Sequence, residues 1–131
     1  MSLVSDDREL IQAAVDAQQQ AYAPYSNFMV GAAIRTPAGR LVVGCNVENV
    51  SYGLTVCAER CAVGNMVVGG EPGIAAMAIA SVGGVAPCGA CRQVLWEFGR
   101  DFPLLLIDSR TGRVRGRCTM SELLPRAFAL D

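Results

Sequence analysis

The chain has 131 residues, 52% of them hydrophobic and 18% charged, with a net charge of −1 and no histidine. That length suits one domain, residues 1–131, around one core, and the apolar surplus points to an oligomer that hides hydrophobic surface. A charge so near zero gives no general pull toward nucleic acid or anionic membrane, and the missing histidine excludes His-dependent triads and His-ligated metal sites.

Met1-Ser2-Leu3-Val4-Ser5-Asp6-Asp7 has neither a basic region nor an apolar run, so no secretory signal is read there and a cytoplasmic location is expected. A helix is expected from a cap at Ser5 or Asp6, with Glu9 in support, to Pro24. Leu10, Ile11, Ala14, Val15, Ala21 and Tyr22 would form its apolar face. Phe28 to Arg35 and Leu41 to Val47 read as a hairpin around Pro37-Ala38-Gly39. The polar stretch from Asn46 to Gly53 reads as a loop at the end of a strand, a common place for ligand contacts.

Cys57 to Val68 reads as a second helix ending at Gly69-Gly70, and Ile74 to Val82 as a central strand covered on both faces. The apolar stretch Ile74 to Ala86 is broken by Ser81, Gly83 and Gly84, and falls short of the ~20 residues a membrane span needs. A third helix, Cys88 to Phe98, closes at Gly99. Leu104 to Asp108 and Val114 to Cys118 are strands whose short link, Ser109-Arg110-Thr111-Gly112, favours antiparallel pairing. A last helix, Ser121 to Phe128, is broken by Pro125. The order implies an α/β fold: a three-layer α/β/α sandwich with a five-stranded mixed sheet, its last two strands antiparallel.

The chemistry concentrates between Cys57 and Cys91. Cys57-Ala58-Glu59-Arg60 opens that stretch, and Pro87-Cys88-Gly89-Ala90-Cys91-Arg92-Gln93 closes it. With no secretory signal, the six cysteines suggest metal binding rather than disulfides. Three thiolates make an incomplete tetrahedron for zinc, whose open corner marks a catalytic site. Glu59 stands where it can handle protons for the attacking water. Residues two apart on a helix point about 200° apart, so Cys57 and Glu59 share a site only if Cys57 sits at or before the helix start. Helix N-termini at Cys57 and Cys88 favour thiolates. Three thiolates on one divalent zinc leave a net negative charge, and Arg60, one turn beyond Cys57, is placed to offset it.

Over nearly its whole length the chain resembles the small homotetrameric cytidine deaminases. The matching stretches are Ala21-Tyr22-Ala23-Pro24-Tyr25-Ser26-Asn27-Phe28, Asn46-Val47-Glu48-Asn49, the two cysteine motifs, and Leu123-Leu124-Pro125-Arg126-Ala127-Phe128. Three cysteines with a non-ligand Glu are also the layout documented for zinc nucleobase deaminases. The resemblance implies one zinc per chain on Cys57, Cys88 and Cys91, with Glu59 as proton shuttle. It implies hydrolytic deamination of cytidine and 2′-deoxycytidine to the uridines, with release of ammonia. Asn46 and Glu48, flanking Val47, would hold the ribose, and Phe28 would pack near the nucleoside. Ala58 and Val50 would contribute through their backbones. Tyr52 and Phe128 match positions that reach a neighbouring subunit's site, implying a homotetramer with shared active sites, without nucleic acid or membrane partners.

Blander readings compete at each point. Cys61, one turn after Cys57, could close a structural four-Cys site, although such a site has no use for Glu59 or the Asn-x-Glu loop. Cys-x-x-Cys alone could be a redox pair, but that motif usually follows a first strand. Cys45, Cys61 and Cys118 are most simply core or interface thiols. Glu48 alone could be a solvated loop charge, and Phe28 and Phe128 would by default be core. Arg113, Arg115 and Arg117 alternate on one face of an edge strand, where charge blocks edge pairing; a nucleic-acid patch is the rival. A blasticidin S deaminase would share the metal motif, but Arg60 and Phe128 favour the nucleoside enzymes. A nucleic-acid-editing deaminase would need a parallel last strand and more basic surface. A non-catalytic zinc module would hold metal without turnover.

Overall fold

The structure, a computed structural model, describes residues 5–130. The elements are α1 (Ser5–Gln18), β1 (Gly31–Arg35), β2 (Leu41–Cys45), a 3-10 turn (Tyr52–Leu54), α2 (Ala58–Val68), β3 (Ala76–Ser81), α3 (Gly89–Gly99), β4 (Pro103–Asp108), β5 (Arg113–Thr119) and α4 (Met120–Leu123). Alternation along the strands sets the layers. Ala32, Ile34, Met77, Ile79 and Leu104 pack with α2, α3 and α4, whereas Ala33, Ala78, Ala80, Leu105 and Ile107 pack with Leu10, Ile11 and Ala14 of α1. The result is the expected α/β/α sandwich.

Its sheet runs β2-β1-β3-β4-β5. Only β3 and β4 pair in parallel, through the α3 crossover; the other three pairings are antiparallel, including the β4–β5 hairpin. Two glycines let the helices lie directly on the sheet. A Cβ at Gly31 would stand 2.1 Å from the Ala14 carbonyl oxygen of α1, and one at Gly44 would stand 2.4 Å from the Ala62 nitrogen of α2. Among the described residues, no helix is long and apolar enough to cross a membrane.

Several ends differ from the sequence expectation. The cap expected at Ser5 or Asp6 rests on side chains that lie outside the described ones. Helix α1 stops at Gln18 rather than near Pro24, because Tyr22 pairs elsewhere: its N–H donates to the Asn46 carbonyl (3.0 Å) and its carbonyl accepts from Glu48 N–H (2.8 Å). Ala21 and Tyr22 are therefore not on the helix face. Gly99 lies inside α3, and Arg100 takes the left-handed turn at φ 57°. The glycine is needed for packing, since a Cβ at Gly99 would meet the Phe102 ring at 2.4 Å.

The last helix is a single turn, with Thr119 and Glu122 forming a capping box. At its end and beyond it, the carbonyls of Leu123 and Phe128 accept from Arg92 and Gln93 of α3 at 2.8 and 3.1 Å. A bulge between Leu106 and Ile107 overturns the arginine alternation on β5. Arg115 is the extra residue and lies 3.8 Å from Asp108, while Arg117 pairs with Leu105 and reaches Asp7 of α1 at 3.9 Å.

Candidate active site

The N-termini of α2 and α3 converge at the end of β3. Cys57 is the N-cap of α2 and Cys88 the N-cap of α3, both in extended conformation, and Cys91 sits buried in the first turn of α3. The Sγ atoms lie within 4.8 Å of one another, with Cys57–Cys88 at 4.0 Å and Cys88–Cys91 at 3.4 Å. Sulfurs on a tetrahedral zinc at ~2.3 Å stand about 3.8 Å apart, so the three thiols fit that ion. Cys61 is not among them. Because Cys57 lies outside the helix, the one-turn spacing does not bring Cys61 alongside; it instead lines a separate pocket with Cys45. This removes the structural four-Cys reading.

Charge at the cluster is polarised. A hydrogen bond from Cys91 lowers the Cys57 thiol to about 5, against partial burial, and Arg60 and Cys88 add to the effect. The same bond raises Cys91, with burial and the Glu59 charge in support. Arg60 donates to the Thr55 carbonyl (3.3 Å) and approaches Cys57 Sγ at 3.9 Å. Its guanidinium therefore lies beside the Cys57 sulfur.

Glu59, in the first turn of α2, is only 4% exposed. Burial raises its carboxyl to about 7, and the Cys57 thiolate adds to that rise. A carboxyl poised there can both take and give a proton at neutral pH. It opens into a pocket of about 200 Å³ that Cys57, Cys88, Ala58, Phe28 and Asn46 also line. Asn46 is fixed at both ends of its amide: Oδ1 accepts from Val30 N–H (2.9 Å) and Nδ2 donates to the Phe28 carbonyl (2.8 Å).

The stretch Asn46-Val47-Glu48 is less irregular than expected. Tyr22 pairs with it on one side and Val56 on the other. Extended backbone then sends Asn46 and Glu48 to one side and Val47 to the other. Glu48 Oε1 accepts from the N–H groups of Tyr25 (2.9 Å) and Ser26 (3.2 Å), and Oε2 accepts from Ser26 Oγ. These bonds, that of the Ser26 hydroxyl first, hold the Glu48 carboxyl below its usual range. Glu48 and Tyr52 line a shallow second pocket with Tyr25, Ser26 and Thr55; Thr55 also lines the first. The Val47 side chain turns to the pocket of Cys45 and Cys61.

Val50 and Phe128 line neither of the two site pockets and are 77% and 69% exposed. Phe28 is exposed as well, so the default core reading fails for both phenylalanines. Sequence reasoning missed Val30, Thr55, Ile79, Val85 and Ala86 in the pocket wall. Two signals were available: Val30 lies two residues from Phe28 in extended chain, and Val85 and Ala86 follow a parallel strand, where α/β folds bind ligands.

Comparison with known proteins now decides the family. The model of the cytidine and deoxycytidylate deaminase zinc-binding region matches residues 4–104. The chain belongs to this deaminase family. A cytidine deaminase of Mycobacterium tuberculosis is 51% identical over 122 residues, covering 90% of this chain and 86% of that protein. One from Halalkalibacterium halodurans is 41% identical over 128 residues and covers 96% of both. The crystal structure of cytidine deaminase from Burkholderia pseudomallei superposes with a TM-score of 0.87 at 45% identity, covering 96% of this chain and 100% of that one. The family's model is that of a zinc-binding region, and the cluster of Cys57, Cys88 and Cys91 could hold such an ion.

Proposed function

We propose that the protein is a zinc-dependent cytidine deaminase. It converts cytidine and 2′-deoxycytidine, with water, to uridine and 2′-deoxyuridine plus ammonia. One observation carries the reading: a buried carboxyl, Glu59, opens into the same pocket as two of three clustered cysteines. Relatives of high identity and coverage named cytidine deaminase support the substrate.

Cys57, Cys88 and Cys91 would hold the metal, which supplies Lewis acidity for the water that attacks carbon 4 of the pyrimidine. Glu59 takes a proton from that water and passes it to ring nitrogen 3. It then carries the second proton to the departing amino group. The water oxygen stays on carbon 4 as the carbonyl of uridine, and ammonia leaves. Backbone groups beside Ala58 and Cys88 orient the amino group. Arg60 offsets the thiolate charge.

Asn46 retains one acceptor lone pair and one amide hydrogen beyond its two backbone bonds. With Glu48 it is the candidate for the sugar hydroxyls, and Phe28 for packing on the nucleoside. Tyr52 and Phe128, exposed in the single chain, would reach a neighbouring subunit's site in a homotetramer in the cytoplasm, and Val50 would contribute through its backbone. Incubation of zinc-replete protein with cytidine should yield equimolar uridine and ammonia. Ammonia from blasticidin S but not from cytidine would overturn the substrate assignment.

A further inference from the structure

The pocket that Glu59 lines is also lined by Val85 and Ala86, on the connection between β3 and Cys88. No regular element supports that connection, yet three consecutive N–H groups in it are satisfied. Gly83 N–H donates to Asp108 Oδ1 (3.1 Å), Gly84 N–H to the Ser81 carbonyl (3.2 Å) and Val85 N–H to Ser81 Oγ (3.0 Å). Ser81 and Asp108 are register partners at the ends of the two parallel strands, and both are buried, at 0% and 2% exposure.

The acceptors are themselves held. Arg110 donates to Asp108 through Nε (3.1 Å), Nη2 (2.9 Å) and its backbone N–H (3.1 Å). Arg115, extruded by the β5 bulge, approaches the same carboxylate, and its Cβ lies 3.0 Å from where a Cβ on Gly84 would stand. Gly83 and Gly84 both have positive φ, 91° and 66°, which gives the turn its tightness. At the far end, the Pro87 carbonyl accepts from Arg92 Nε (2.8 Å). The loop is thus fastened on both sides of Val85 and Ala86.

We infer that Ser81 and Asp108 are positioning residues for the deaminase pocket, acting through the Gly83–Val85 backbone to set the wall against which the pyrimidine rests. This rests on the deaminase reading above. The cost of burying them at the strand ends is offset by these hydrogen bonds, to the loop and from Arg110.

The test pairs hydrogen exchange with kinetics on zinc-loaded Ser81→Ala, Asp108→Asn and Asp108→Ala. Loss of one such bond should speed exchange in peptide 82–88 by roughly 3- to 10-fold, with helix α1 unaffected and zinc content unchanged. KM for cytidine should rise by a similar factor, roughly 3- to 10-fold, with kcat less affected. Asp108→Asn, which keeps an oxygen for Gly83 N–H, should recover more of KM than Asp108→Ala. Faster loop exchange with unchanged KM overturns the positioning role, as does an unchanged loop. Faster exchange throughout the sheet shows plain destabilisation and also overturns it; if Asp108→Ala does not fold, Ser81→Ala decides. Wild-type protein that deaminates no cytidine defeats the deaminase reading instead, and is recognised before any variant is made.

Discussion

Glu59 meets two demands that pull apart, burial deep enough to raise its carboxyl and access to a pocket wide enough for a base. General acid–base catalysis by one carboxylate is worth about 10²–10⁴-fold. Steady-state kinetics on zinc-replete Glu59→Gln should therefore show kcat down by at least ~10², with substrate still bound. Near-normal turnover would remove Glu59 from the reaction. For the metal, Cys88→Ala should lose zinc by elemental analysis and Cys61→Ala should keep it; the reverse pattern would falsify the ligand set. Cys57 and Glu59, two residues apart, can share a site only when Cys57 precedes the helix, a condition legible in the spacing, and the structure places Cys57 there as the cap. Asn46 and Glu48 were not legible from their own chemistry. Backbone pairing with Tyr22 and Val56 directs them, and such pairing leaves no periodic trace; the family resemblance supplied them instead.

At the scale of elements, composition identified each strand and helix better than it located their ends. Helix α1 carries its apolar face to Gln18, but Tyr22 is claimed by the Asn46 loop, an interaction 24 residues away that no local propensity encodes. The bulge in β5 was equally hidden, because alternating arginines look the same with or without an extra residue. Gly31 and Gly44, unremarked in the sequence, set how closely α1 and α2 approach the sheet. Gly44 matters to function too, since α2 carries Ala58, Glu59 and Arg60. Gly44→Ala would push a methyl to 2.4 Å from the Ala62 backbone nitrogen. Overpacking of this kind typically costs about 1–3 kcal/mol. Thermal unfolding of the variant should show that loss, together with reduced activity as α2 is displaced.

The whole molecule leaves Val50, Tyr52, Leu54, Val68 and Phe128 between 65% and 86% exposed. These exposed apolar side chains are the candidates for the interface of the oligomer expected from composition. Light scattering should report a tetramer. A 13.8 kDa monomer with full activity would refute shared sites.

Cys57 and Cys88 are 31 residues apart in the chain and 4.0 Å apart in space, with β3 inside the loop they define. A metal held by both would close that loop in the folded chain and, binding the folded chain and not the unfolded one, would stabilise the fold by its binding free energy. The metal would then act as a staple as well as a reagent. Chelation should lower the melting temperature, not merely abolish turnover, and refilling with zinc should restore both. Loss of activity at an unchanged melting temperature would show that α2 and α3 hold together without it.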